Sequence, residues 1–213
     1  MRDRLAALAA REPGGLTADF PRGTSAVLVL VVDPTGDAPG LVLTRRSPDL
    51  RTDPGFVAFP GGKVDAGETV EDAARRECEE EVGIAAERIT VHGRLDESWN
   101  GAGFRIVPVV ATVDGPVSLS PGAEEVSAAT VVLLRDVVAD AHHRTVIKTI
   151  DGHDFVDDVI RFDHRHSGDA EEWELYGPTA DIARDLAAFL DGDERDAITR
   201  RQGDLDHFAT RWH

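Results

Sequence analysis

Disulfide chemistry is excluded at the outset. The 213-residue chain has a single cysteine, Cys78, so it can close no intramolecular bridge and build no multi-cysteine metal centre. A reducing compartment is compatible with that. Lysine is scarce as well, standing only at positions 63 and 148, and arginine carries the basic character. Asp plus Glu outnumber Lys plus Arg by 40 to 23, a formal net charge of −17. Grip on a nucleic-acid backbone depends on neutralising phosphates with Lys and Arg. Nucleic acid is therefore not expected as a partner, and an anionic substrate has to be met by local arginines and metal ions. Long hydrophobic runs are missing too. The longest, Ala26 to Val32, falls far short of the roughly 20 residues that a membrane span needs. The Met-Arg-Asp-Arg start leads into an Ala-rich segment carrying Arg11 and Glu12, which does not read as a secretory leader. The expectation is a cytoplasmic protein with no membrane partner and a globular composition, long enough for one good-sized core. Nothing here argues against a homodimer.

What is present divides into three. Residues 1–23 read as a short amphipathic helix around Leu5 and Leu8 followed by a connector through Pro13, Gly14, Gly15 and Pro21. Residues 24–191 carry the domain, and 192–213 form a polar tail expected to be loosely held. Within the domain, Ser25–Asp33 is a β-branched run that stops at the turn residues of 33–37, and Gly40–Arg46 returns as a second strand. Phe56–Phe59 is a candidate short strand, with further strands near 88–97, 104–113 and 130–134 and a hairpin that includes 154–162. Helices are expected at Thr69–Val82 and Ala180–Leu190. In the first, Val70, Ala74, Cys78 and Val82 recur every four residues as one buried stripe. Thr69 suits its N-cap and Gly83 its C-terminal stop. Strands alternating with helices predict an α/β fold, a mixed sheet with helices on its faces.

The chemistry gathers on the helix at 69–82. Glu77, Glu80 and Glu81 stand at i, i+3 and i+4, which turns three carboxylates to one face, away from the stripe through Ala74 and Cys78. Like charges this close weaken a helix. A hard cation such as Mg²⁺, which favours carboxylate and phosphate oxygens, reverses the sign of that interaction. A solvated acidic face is the other reading, and the helix alone does not choose. The residues before it tip the balance: Gly61-Gly62 makes a tight turn with accessible backbone, and Glu68 can pair with Arg76 to clamp loop to helix.

The segment Gly62-x5-Glu68-x7-Arg76-Glu77-Cys78-x-Glu80-Glu81-x-Gly83-Ile84 resembles the Nudix box, G-x5-E-x7-R-E-U-x-E-E-x-G-U, with U a bulky aliphatic residue. Every fixed position matches. Cys78 replaces an aliphatic residue, and a buried free cysteine behaves as a small hydrophobe. The resemblance implies the Nudix fold, an α/β/α sandwich with a mixed β-sheet in which the box is a loop-helix-loop. It also implies hydrolysis of a diphosphate linked to another moiety. By that resemblance Glu77, Glu80 and Glu81 bind the metal with the Gly62 carbonyl as a further ligand, and Glu68 and Arg76 are supports. The implied ion is Mg²⁺, with Mn²⁺ as an alternative.

Upstream, Val42-Leu43-Thr44-Arg45-Arg46-Ser47, Arg51, Gly55 and Phe59-Pro60-Gly61-Gly62 resemble the extension L-L-T-x-R-S-x3-R-x3-G-x3-F-P-G-G of the coenzyme A pyrophosphatases of this superfamily, with Val42 for Leu the one mismatch. Arg46 and Arg51 offer guanidinium forks for phosphate oxygens, and coenzyme A carries a 3′-phosphate besides its diphosphate. Ion pairs with Asp49, Asp53 or the box carboxylates are the competing reading of both arginines. The run Asn100-Gly101-Ala102-Gly103-Phe104 with Ile106 and Pro108-Val109-Val110 is similar to the same subfamily. The expected reaction is Mg²⁺-dependent cleavage of coenzyme A, or acyl-coenzyme A, into 3′,5′-ADP and 4′-phosphopantetheine. Alternatives are another Nudix diphosphatase acting on NADH, ADP-ribose or a related nucleotide, and a non-catalytic Nudix-fold binding module.

Weaker candidates follow. Glu125, beside Glu124, is an additional ligand or general base, with Asp96 and Glu97 ranked below it. His142-His143 and His164-x-His166 lack a carboxylate framework and read as surface residues. Trp99, Trp173 and Tyr176 could stack on an adenine or simply pack.

Overall fold

The computed structural model describes residues 1–33, 36, 38–122, 124–139, 142–166, 169–193 and 197–212, so the expected turn at 33–37 lies partly outside the described residues. A short helix, α1 (Arg2–Ala6), runs into a 3₁₀ turn at Ala7–Ala10. The apolar run then forms β1 (Gly23–Val32), followed by β2 (Gly40–Arg46), β3 (Val57–Ala58), β4 (Gly61–Lys63) and α2 (Val70–Val82). Next come β5 (Thr90–Arg94), β6 (Ser98–Trp99), β7 (Phe104–Val113), β8 (Val126–Leu133) and α3 (Leu134–Val138). These eight strands make one sheet in the order β3-β2-β1-β7-β5, with β4 paired to β1, β6 to β7 and β8 to β2. Its centre is parallel: β1 and β7 run in register from Gly23 opposite Phe104 to Val32 opposite Val113. The other pairings are antiparallel, so the sheet is mixed as expected.

β1 is apolar at every position from 26 to 32 because both of its faces are covered. Ala26, Leu28, Leu30 and Val32 pack with Ala74, Cys78 and Val82 of α2. Val29 and Val31 point the other way, into a layer with Ile182, Ala183 and Leu186. These last belong to α4 (Pro178–Asp191), which ends at Gly192 in the left-handed region, φ 82°. Full burial of each such Leu or Ile contributes about 1.5–3 kcal/mol. The result is an α/β/α sandwich. No helix among the described residues is long and apolar enough to cross a membrane.

Three features depart from expectation. The hairpin widens into a separate three-stranded antiparallel sheet of β9 (His143–Ile150), β10 (His153–His166) and β11 (Asp169–Tyr176). β11 was hidden by its acidic composition, although Trp173 and Leu175 are fully buried. The segment 1–23, expected as a short helix and connector, also contributes to the core, with Leu16 of the connector buried alongside Leu5 and Leu8. The tail is not loosely held. It forms α5 (Ala197–Phe208) and a 3₁₀ turn, Ala209–Trp212. α5 buries Leu205 and Arg201, and Arg201 sets Nη2 2.7 Å from Asp185 and Nε 3.7 Å from Asp181 of α4. The Arg201 carbonyl accepts the Trp99 indole N–H at 3.2 Å, and Phe208 stacks 5.1 Å from the Trp99 ring. The anchor is an ion pair with aromatic contacts, so no helical apolar stripe announced it.

Candidate active site

The site starts from how α2 is held. Thr69 Oγ1 accepts the Asp72 N–H at 3.1 Å and donates to its carboxylate at 2.7 Å, capping the helix start. Gly83, at φ 74°, closes the far end and donates its N–H to the Glu79 carbonyl at 2.9 Å. Cys78 is fully buried, and that burial pushes its thiol up to about 12. It stays protonated and inert, a core residue as expected.

β4 lays Gly61 and Gly62 beside β1, Gly62 opposite Ala26. The loop after it is tied to α2 by Arg76. The guanidinium grips Glu68 with Nε to Oε1 at 3.0 Å and Nη2 to Oε2 at 3.2 Å, and Nη2 also reaches the Lys63 carbonyl at 3.1 Å. Glu68 takes the Asp65 N–H as well, at 3.1 Å. The paired guanidinium, then that N–H, hold its carboxyl below the usual range. The fork geometry makes this clamp directional as well as charged. Arg76 Nη1 turns to the other side, 2.8 Å from Glu77 Oε1 and 3.1 Å from Glu80 Oε2.

Glu77, Glu80 and Glu81 line one cavity of about 360 Å³ with Glu125, Arg46, Lys63, Gly61 and Gly62. Its carboxylates sit in unequal environments. Glu81 is buried and accepts the Gly61 N–H at 3.1 Å. Burial pushes its pKa up to about 7; Glu77 and Glu125 add to the rise, while the Gly61 N–H and Arg46 oppose it. Half-buried Glu77 is also raised, first by burial and then by Glu80 and Glu125, against the pull of Arg76. Glu80 and Glu125 are exposed. Negative charge is thus concentrated where two of four carboxylates lack their hydration, a condition that added positive charge relieves.

The structure brings together Gly62, Glu77, Glu80, Glu81, Glu125 and Arg46, with Glu68 and Arg76 in the expected clamp. Arg51 is not in the cavity lining; it is exposed on the loop between β2 and β3. Among the described residues neither arginine forms the competing ion pairs, and Arg46 Nε donates to the Thr52 carbonyl at 3.4 Å. Sequence reasoning missed Lys63 and the Gly61 N–H. Gly61-Gly62, expected as a tight turn, is instead extended strand β4, and its pairing with β1, which makes Lys63 and the Gly61 N–H line the cavity, was the missing signal. Asp96 and Glu97 lie elsewhere and are structural. Asp96 accepts Arg11 Nη2 at 2.5 Å and the Gly14 N–H at 2.7 Å, and Glu97 accepts the Leu16 N–H at 2.7 Å. His142 and His143 bond the carbonyls of Asp136 and Val137 at the end of α3. The side chains of His164 and His166 lie outside the described residues. Trp173 is core, Trp99 packs on the tail, and Tyr176 lies against Phe56.

The donor set fits a hard divalent cation, with carboxylate oxygens and no sulfur or imidazole; the Gly62 carbonyl, expected as a further ligand, already accepts the Ser25 hydroxyl at 2.8 Å. Among the described residues no three such side chains are drawn together tightly enough to chelate an ion as they stand. The reason is visible in the hydrogen bonds. Arg76 Nη1 serves as the cation between Glu77 and Glu80, and the Gly61 N–H holds Glu81. Loop and helix also meet closely here: a Cβ on Gly62 would lie 2.3 Å from the Glu77 carboxyl carbon.

Comparison with known proteins gives three findings. The NUDIX domain model matches residues 22–150. The chain is 32% identical over 167 residues to an uncharacterised Nudix hydrolase, NudL, of Enterobacter sp. strain 638, covering 78% of this chain and 82% of that protein. It is 34% identical over 171 residues to the NudL of Klebsiella pneumoniae strain MGH 78578, covering 76% and 80%. Among solved structures, a MutT/nudix family protein from Enterococcus faecalis matches with a TM-score of 0.50 at 18% identity, covering 85% of this chain and 63% of that one, a likeness of fold alone.

Proposed function

The chain belongs to the Nudix family and is a Nudix hydrolase, and from that premise we propose that it cleaves the diphosphate of coenzyme A or an acyl-coenzyme A, releasing 3′,5′-ADP and 4′-phosphopantetheine. The observation that carries this reading is the single cavity in which Glu77, Glu80, Glu81 and Glu125 face Arg46 and Lys63. Carboxylates alone would repel a polyphosphate, and cations alone would bind it without activating water. The combination suits hydrolysis of an anhydride. Water adds to one phosphorus, the bridging P–O bond breaks, and the departing phosphate keeps that oxygen.

In this reading Glu77, Glu80, Glu81 and the Gly62 carbonyl would hold Mg²⁺ or Mn²⁺, and the ion would supply polarisation of the phosphoryl oxygens and a lowered pKa for bound water. Arg46 and Lys63 take the diphosphate oxygens through charge-assisted hydrogen bonds. Exposed Glu125 stands where it can accept the proton that water loses. Arg76 and Glu68 keep the loop against α2, so the acidic face and the Gly61-Gly62 backbone stay in one arrangement. A chain of net charge −17 can thus act on a polyanion without a basic surface. The choice of coenzyme A rests on the pattern across residues 42–62, whose Arg46 is in the cavity.

The test is a metal-supplemented panel of coenzyme A, NADH, ADP-ribose and ATP with products identified by mass. The expected result is preferential turnover of coenzyme A with 4′-phosphopantetheine among the products. A far higher kcat/KM on NADH or ADP-ribose would overturn the substrate assignment and leave the family unchanged.

A further inference from the structure

The second sheet has no part in the cavity, yet one of its residues touches the loop that carries the arginines. Residues 48–54 of that loop are almost wholly exposed. The loop holds Asp53 at φ 49° and Gly55 at φ 74°. A non-glycine residue in the left-handed region is disfavoured unless its surroundings impose it. Inside the loop the Asp49 and Leu50 N–H groups turn back to Ser47, and Arg46 Nε donates to the Thr52 carbonyl at 3.4 Å. Two bonds govern its return: the Phe56 N–H donates to the Asp53 carbonyl at 3.3 Å, and the Arg46 N–H donates to the Phe56 carbonyl at 2.8 Å. Phe56 is therefore where the loop meets the backbone of Arg46, whose other side is held by β8, with Arg46 opposite Val126 and its carbonyl accepting the Ser127 hydroxyl at 3.2 Å.

Phe56 in turn leans on Tyr176, the last residue of β11, edge to face with ring centroids 6.0 Å apart at 79°. Tyr176 is itself pinned. Its hydroxyl donates to Asp157 Oδ2 at 2.6 Å, and Lys148 Nζ lies 2.9 Å from the same oxygen and 4.0 Å above the tyrosine ring. Lys148 comes from β9, Asp157 from β10 and Tyr176 from β11, so each strand of the small sheet contributes one member. An aromatic held by a carboxylate and capped by an ammonium is a rigid surface for its neighbour.

We infer that Tyr176 is a positioning residue that holds the arginine loop in its binding-competent form through Phe56 and the backbone of Arg46. The inference rests on the reading above, in which Arg46 takes substrate phosphate. If the competent loop is only a fraction f of the population, apparent affinity falls by 1/f while the chemistry of the bound complex is unaltered. Loss of Tyr176 should therefore raise KM and spare kcat. A merely structural residue would lower stability and kcat without that split.

The experiment is steady-state kinetics with coenzyme A and Mg²⁺ on wild type, Tyr176→Ala, Tyr176→Phe, Arg46→Ala and the Tyr176→Ala/Arg46→Ala double variant, each checked by thermal unfolding. Tyr176→Ala should raise KM about 3- to 10-fold, the range an aromatic pair of this kind is worth, with kcat within about twofold. Tyr176→Phe, which keeps the ring against Phe56, should recover most of that loss. In the double variant the KM should be no worse than in Arg46→Ala alone. Wild-type KM in folded Tyr176→Ala, a fall in kcat instead, or additive losses in the double variant would each overturn the inference while leaving Arg46 as a substrate contact. An unaltered KM in Arg46→Ala would overturn that contact and the inference with it. If coenzyme A is not turned over, the substrate assignment fails by itself, and the same five proteins are compared on whichever panel substrate is.

Discussion

Adjacent glycines in β4 allow the fold and the chemistry to be separated by one methyl group. A Cβ on Gly61 would lie 2.4 Å from the Ala26 carbonyl oxygen and 2.7 Å from Val27 Cα. Both are backbone atoms of β1, the strand that pairs in register with β7 at the sheet's centre. They cannot retreat without opening the β1–β4 pairing, so Gly61→Ala should cost about 1–3 kcal/mol, as overpacking does elsewhere. For a chain of this length that lowers Tm by roughly 2–12 °C.

A Cβ on Gly62 would clash just as hard, 2.3 Å from Glu77 Cδ and Oε1. What it meets, however, is the free end of a side chain. Glu77 can swing aside at the expense of its 2.8 Å contact with Arg76, which is a half-buried pair of modest worth. Gly62→Ala should therefore keep Tm within about 2 °C of wild type, in line with a substitution away from special backbone or core features. Its effect falls on the site, since the displaced group is a proposed metal-binding carboxylate. Misplacement of about 1 Å can cost on the order of 10²-fold in rate. The two variants are compared by thermal unfolding and by kcat/KM on the best panel substrate at saturating Mg²⁺. Gly62→Ala with wild-type kcat/KM would show that Glu77 need not stay where it is. Gly62→Ala that melts as early as Gly61→Ala would show that the clash is not relieved by the side chain.

Glu80→Gln and Glu81→Gln should fold and lose activity by about 10³-fold or more, because a neutral amide holds Mg²⁺ poorly; near-wild-type turnover in either would move the metal off this face of α2. Arg51 and Arg46 are separated by comparing coenzyme A with dephospho-coenzyme A, which lacks the 3′-phosphate. Arg46→Ala, which removes a proposed diphosphate contact, should lower kcat/KM on both substrates; if Arg51 binds the 3′-phosphate, Arg51→Ala should lose about 10- to 150-fold on coenzyme A alone, and equal losses on both substrates in both variants would remove the physical reason for choosing coenzyme A. Arg201→Met should destabilise by about 3–5 kcal/mol, because it strands Asp185 in the interior without its 2.7 Å partner and leaves Asp181 only Arg200, at 3.5 Å. Burial already raises both carboxyls, so they can take up protons, and the Tm loss should be smaller at pH 5 than at pH 8; an unchanged Tm at pH 8 would mean that the tail is not anchored by this pair.

The parts of the molecule that the sequence made legible share one physical property: their signal is local. α2 announced itself through a four-residue apolar repeat, a Thr cap and a terminal glycine, all within fifteen residues, and each is found in place. The convergence of Glu77, Glu80 and Glu81 follows from helical pitch and needs no tertiary information. Glu68 and Arg76 lie one loop apart, so even their pairing was within reach of a spacing argument. Lys63 and the Gly61 N–H were not, since only the pairing of β4 with β1 makes them line the cavity.

The misses are long-range and polar. The tail reads as solvent-facing because its anchor is Arg201, a residue that composition assigns to the surface, and its partners Asp181 and Asp185 are sixteen and more residues away on another helix. β11 carries no strand expectation because its composition is acidic, yet its alternate residues Trp173 and Leu175 are buried, and the intervening Glu174 pairs across the ladder with Arg161. In both cases the charge that argues for exposure is neutralised by a partner from a different element. In this chain Asp and Glu outnumber Lys and Arg by 40 to 23, so the position of an arginine helps decide which acids can approach the core. Arg76 does this for α2, Arg201 for the tail and Arg11 for the N-terminal connector through Asp96. The fold is held as much by where its cations fall as by its apolar stripes, and that placement becomes visible only once the strands are paired.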